Sequence, residues 1–386
     1  MRKCSWFFIA GMVCLAACGG GNGGDVLGNP TLPAATSTSP PAPSLRAIYV
    51  TTNASSSNVV LAFVPRAGGD PTLLGMYPTT GKGAGSHADF SSDAVRISDD
   101  HRFLFAVDSG SNSIASFRIN AGYDLAFAGS VSSGGLSPNN LAVRGTSLFV
   151  TNSGDLASGV PPTVNGFLIQ NDGTLLANGG SVSLDDPTRS TPSDALFDST
   201  GTALIVPDFR TSKIDFYPID AGKIAGAPAV VSSSGALPFG AKIFANTLVV
   251  SESAGSVSSY ATAAISTAPI TSALANGERG TCWLALTPNG RYAYVSNTQS
   301  GTISSYSVAT SGALTLLAQT AAISALGSSS QPLDIAVAQD GSRLYQLYGA
   351  GEALEEYAIA GDGSLRLSGA VTGLPSSSQG VALLYF

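Results

Sequence analysis

The chain has 386 residues, of which only 11% are charged, with 45 glycines and a formal net charge of −7. Such a composition suits many short strands joined by turns and excludes a long-helix or disordered protein. The acidic balance, a pI near 4.7 and the lack of any basic stripe argue against a nucleic-acid partner.

The chain opens with a targeting segment, residues 1–17. Arg2 and Lys3 precede an apolar run from Trp6 to Ala17, which is too short to remain as a membrane span and reads as an export signal. Leu15-Ala16-Ala17-Cys18 is similar to the bacterial lipoprotein box, whose cysteine becomes the lipidated first residue of the mature chain. The similarity implies a lipid anchor on Cys18, with a membrane as partner; an ordinary signal peptide that contains a cysteine is the alternative. Gly19 after that cysteine resembles the outer-membrane-sorted kind, so the expected location is the periplasmic or cell-surface side of the outer membrane. Residues 18–44, from GGGNGG into a Pro/Thr/Ser/Ala run, read as a flexible tether. With Cys4 and Cys14 in the signal and Cys18 acylated, Cys282 is left alone and no disulfide is expected.

From residue 45 to 386 a single unit repeats. Its clearest copy is Thr281 to Val308: an apolar run through Trp283, a Thr287-Pro288-Asn289-Gly290 turn, Tyr292-Ala293-Tyr294-Val295, a polar turn, and Thr302 to Val308. Asn-Gly between two β-rich runs predicts a hairpin with positive φ at both central residues. The third strand of each copy carries an aromatic, at Phe63, Phe117, Phe167, Tyr217, Tyr260, Tyr306 and Tyr357, spaced by 54, 50, 50, 43, 46 and 51 residues. Seven copies at this spacing predict an all-β, seven-bladed β-propeller with four-stranded antiparallel blades. Gln379 to Phe386 has no later strands of its own, and the copy opening at Ala47 has no first strand. The C-terminal strand is therefore expected to complete the first blade and close the ring, which removes the free edges.

In such a ring, residues just before the first strand and just after the second are expected to gather around the channel on one face. The first set is Asp93, Asn140, Asp194, Gly240, Trp283, Asp334 and Gly380; the second is Asn53, Asp108, Asn152, Asp208, Glu252, Asn297 and Tyr348. Acidic and amide groups dominate this expected mouth, with Arg210, Arg279, Cys282 and Trp283 as exceptions. A polar or cationic ligand would suit it, or a hard cation such as Ca²⁺; no other cofactor is indicated. Many of these Asp and Asn side chains would equally serve as strand-end caps. No GxSxG, HExxH, CxxC or Walker-type motif occurs, and His87 and His101 are the only histidines. Carboxylates and arginines remain as candidates, with Glu252 to activate water and Arg279 to polarise a lactone carbonyl.

Tyr49-Val50-Thr51-Thr52-Asn53, Phe149-Val150-Thr151-Asn152 and above all Pro288 to Asn297 resemble the lactonase-like seven-bladed propeller family, whose best-known branch is 6-phosphogluconolactonase. The resemblance covers residues 45 to 386 and implies lactone hydrolysis in the enzymatic branch. There the sixth blade typically opens with an Arg-His pair, which aligns with Cys282-Trp283 here. The chain departs from the family pattern at that point, and it shows no basic cluster for a sugar phosphate. Two readings stand: an exported propeller that binds a small molecule or protein at its channel mouth, and an exported lactonase with a different substrate.

Overall fold

The computed structural model describes residues 44–66, 68–87, 91–262 and 268–386; the signal, Cys18 and nearly all of the tether lie outside the described residues. Seven antiparallel sheets follow one another along the chain. In the sixth, Thr281–Leu286 lies innermost, followed outwards by Tyr292–Asn297, Thr302–Val308 and Leu314–Ile323. In the first, the order outwards is Gln379–Tyr385, Leu45–Thr51, Val59–Arg66 and Gly69–Pro78. The last strand of the chain thus pairs with its first, Ile48 opposite Leu383 and Tyr49 opposite Ala382, and the ring closes as the repeat predicts. The outer strand is split in blade three and in blade four.

Burial explains the strand sequences. Inner strands are covered on both faces and read as unbroken runs: Phe103–Asp108 and Tyr292–Asn297 are buried at every position. Outer strands face water on one side and alternate, as in Leu314–Ile323. Each pair of neighbouring blades shares a core. Ile48, Phe63, Tyr345 and Leu347 join blades one and seven, and Tyr49, Ala62, Leu104 and Phe117 join blades one and two. Hydroxyls and amides then stitch the starts of the innermost strands into a wall. Ser109 Oγ donates to Pro138 O, Asn139 Nδ2 to Pro192 O, Ser193 Oγ to Pro238 O and Ser296 Oγ to Leu333 O, at 2.5 to 3.0 Å.

The turn at Asn289-Gly290 departs from expectation. Gly290 N–H donates to Thr287 O and only Gly290 has positive φ, so a turn from Thr287 is followed by one left-handed residue. The reason lies in Asn289, whose Oδ1 accepts from Thr287 Oγ1 and from Arg291 N–H and holds it out of the left-handed region. A Cβ at Gly290 would also strike the Phe244 ring of the neighbouring blade. His101 fills the equivalent left-handed position in blade two, and its ring meets the C-terminal Phe386 edge-on at 5.6 Å.

Candidate functional site

The innermost strands carry the channel lining, and two groups of contacts join blades that are not neighbours, which is possible only across the channel. The first is aromatic. Trp283 of blade six donates from Nε1 to Ser91 O, at the start of blade two, at 2.8 Å. Its ring meets Phe239 of blade five with centroids 4.8 Å apart, and Phe239 in turn meets Phe209. Trp283 bridges the channel near the upper face, where innermost strands begin, and it is buried.

The second group is charged. Lys242 Nζ, on the innermost strand of blade five, lies 3.2 Å from Asp93 Oδ2 of blade two and 3.3 Å from Asp194 Oδ2 of blade four. Arg96 Nη1 holds the other oxygen of Asp93 at 3.1 Å. Asp194 also accepts from the backbone N–H groups of Ala195 and Ala241. Burial alone would raise both carboxyls. At Asp93 the Arg96 and Lys242 cations outweigh it and hold the group below its usual value. At Asp194 burial wins over the pull of Lys242, the neighbouring Asp93 charge adds to it, and the carboxyl is pushed up to about 7. Below neutrality the pair is therefore singly ionised, with Asp93 the ionised member.

This cluster opens on the lower face, where the innermost strands end. A cavity of about 370 Å³ is lined by the polar residues Asp93, Arg96, Asp99, Arg144 and Lys242 and by the apolar residues Val143, Leu196, Phe197 and Ile243. An adjoining cavity of about 280 Å³ shares Arg96 and Asp99 with it and reaches His101 and Tyr385. Both volumes suit metabolite-sized ligands rather than macromolecular grooves.

The remaining sequence candidates lie elsewhere. Glu252 is wholly buried, and its carboxylate accepts from Ser233 Oγ, Gly235 N–H, Ser256 Oγ and Ser258 Oγ. Arg279 is exposed, and the two form no ion pair. The structure does not bring a base and a carbonyl-polarising cation together there. Asn297 is consumed by Thr281, Asn276, Thr302 and Ser304. Asp208 is buried and accepts from Thr191 N–H, whereas the following Arg210 is exposed. Asp334 is buried on the innermost strand of blade seven. Burial pushes the Cys282 thiol up to about 11, so it is protonated and a poor nucleophile near neutral pH, and it donates to Ser253 Oγ. Among the described residues no three His, Cys, Asp or Glu side chains gather to hold a metal ion.

Sequence reasoning found Asp93 and Asp194 but missed Lys242 and Arg96. A signal existed. At the fifth position of the innermost-strand frame the copies read Val95, Ala142, Leu196, Lys242, Ala285, Ala336 and Ala382, one cation among six apolar residues.

The family model described as lactonase, 7-bladed beta-propeller, matches residues 42–158 and 163–363. No curated protein matches the sequence. Among solved structures, the periplasmic gluconolactonase of Pseudomonas aeruginosa superposes with a TM-score of 0.68 at 18% identity, over 88% of this chain and 99% of that one. A Lactobacillus plantarum protein gives 0.69 at 17% identity, over 89% and 99%. A candidate 6-phosphogluconolactonase from Bacteroides fragilis gives 0.67 at 16%, over 88% and 98%. At such identities the likeness establishes the fold alone.

Proposed function

Because the chain belongs to the lactonase seven-bladed β-propeller family, we propose that it is an exported, lipid-anchored member that binds a small ligand at the lower end of its channel and does not hydrolyse lactones. One observation carries this reading. The carboxylate best placed by sequence to activate water, Glu252, is buried with four donors on it, while the mixed-charge cluster of Asp93, Asp194, Arg96 and Lys242 opens into a cavity on the other face.

Supporting chemistry is consistent with binding. Both oxygens of Asp93 are already engaged by cations, which makes it a weak proton acceptor. The name of the Pseudomonas relative supports the rival reading, a periplasmic lactone hydrolase. The two are separated by assaying the full chain against aldonolactones and aromatic lactones, with and without Ca²⁺. Binding predicts no turnover above buffer; turnover abolished by Glu252→Gln in a folded protein would establish the hydrolase. The anchor is supported by Leu15-Ala16-Ala17-Cys18 and the tether after it. Cells fed a labelled fatty acid should label the chain, and Cys18→Ser should remove the label; equal labelling of both would refute the anchor.

A further inference from the structure

The lower cavity has a surplus of hydrogen-bond donors. Arg96 commits one of its five N–H groups, to Asp93 Oδ1. Lys242 commits two of its three, to Asp93 and Asp194. Most acceptors are already occupied: Asp93 by both cations, Asp194 by Lys242 and two backbone N–H groups, and Asp99 Oδ2 by Gly145 N–H, which leaves Asp99 Oδ1 open. Arg144 donates Nη1 and Nη2 to Asp198 O and Ser199 O. What the cavity still offers a ligand is mainly N–H: four on Arg96, one on Lys242 and three on Arg144, with the Arg96 and Lys242 side chains partly exposed. A cationic ligand would meet these cations with few free acceptors. A phosphate dianion would face Asp93 and Asp99 with too little compensating charge.

The rest of the wall decides the body of the ligand. Val143, Leu196, Phe197 and Ile243 add apolar surface to the lining of this cavity of about 370 Å³. We infer that the lower cavity binds a metabolite-sized organic carboxylate with an apolar body, its carboxylate on Arg96 and Lys242 and its body against Phe197 and Ile243. The inference rests on the binding reading above and specifies its ligand class. Guanidinium and ammonium on one carboxylate make charge-assisted hydrogen bonds, the stronger kind. Lactone chemistry has no part in it.

The test uses the full chain and three probes of nearly equal shape: benzoate, benzyl alcohol and benzylamine, titrated by calorimetry at low salt and pH 6.5. The expected result is saturable one-to-one binding of benzoate and none of the other two. Lys242→Met should abolish it, but that variant leaves Asp93 and Asp194 facing each other without their cation and is prone to unfold. Arg96→Gln, at a partly exposed position on the cavity wall, is the safer variant; with an unchanged circular dichroism spectrum it should weaken benzoate at least tenfold. Benzoate binding that Arg96→Gln leaves unchanged, or no benzoate binding at millimolar concentration, overturns the inference. Binding of benzyl alcohol or benzylamine that Phe197→Ala removes, without benzoate binding, overturns the carboxylate class while leaving a ligand site in this cavity. Lactone turnover is a separate readout, and it alone decides against the binding reading itself.

Discussion

At the scale of single residues, the most consequential are side chains that the channel holds under constraint. Trp283 combines a cross-channel hydrogen bond with ring contact in a buried position, so Trp283→Ala should cost about 3–5 kcal/mol in urea unfolding. Trp283→Phe should cost less, because the contact with Phe239 survives. Glu252→Ala would leave a backbone N–H and up to three hydroxyls without their buried acceptor, a loss of about 3 kcal/mol. Benzoate affinity should not change in that variant, since Glu252 stands apart from the lower cavity. Asp194 gives a pH signature with a definite sign. Its carboxyl is raised to about 7 from an ordinary 3.8, so the folded state holds the proton that the unfolded state has released. The stability this provides is present below pH 3.8 and is lost as pH rises through 7. Asp108 and Asp215, both raised to about 6 by burial, act in the same direction. Urea unfolding should therefore show a more stable protein at pH 5 than at pH 8, and Asp194→Asn should reduce the difference. Stability that rises across this range would refute the assignment.

At the scale of elements, the blade is the unit and the closing strand is its most exposed dependency. Gln379–Tyr385 supplies the innermost strand of blade one, and Leu384 is fully buried between blades one and two. A chain ended at Ser378 would leave the inner edge of Leu45–Thr51 unpaired and the shared cores with blades two and seven uncovered. It should lose cooperative urea unfolding and aggregate; a sharp transition at the wild-type midpoint would show that closure does not hold the ring. These elements were legible because the repeat writes them seven times. The aromatic at the third strand and the apolar innermost run recur at a spacing that only stacked blades satisfy. The hairpin at Asn289-Gly290 was legible in place but not in type, since Asn289 is held by a side-chain bond that no dipeptide rule contains.

For the whole propeller, the fold leaves two ends of one channel with different characters. At the upper end Trp283 spans the channel, and the ring of Asn53, Asp108, Asn152, Asp208, Glu252, Asn297 and Tyr348 is buried. At the lower end charge and apolar wall meet in an open cavity. Sequence position identified Asp93 and Asp194 as channel residues, yet it could not say which cations would reach them, because Lys242 lies 149 residues from Asp93 and three blades away. The surroundings of Glu252 were hidden for a similar reason: its donors come from Ser233, Gly235, Ser256 and Ser258, residues unremarkable in the sequence that converge only when blades four and five pack. As proposed, the channel binds at its lower end and does not hydrolyse lactones at its upper one. Lactone hydrolysis by the full chain, beside Glu252→Gln, tests it most directly. Neither protein should turn over any of the aldonolactones and aromatic lactones, with or without Ca²⁺. Turnover by the wild type would overturn the proposal, and its loss in a folded Glu252→Gln protein would identify Glu252 as the base.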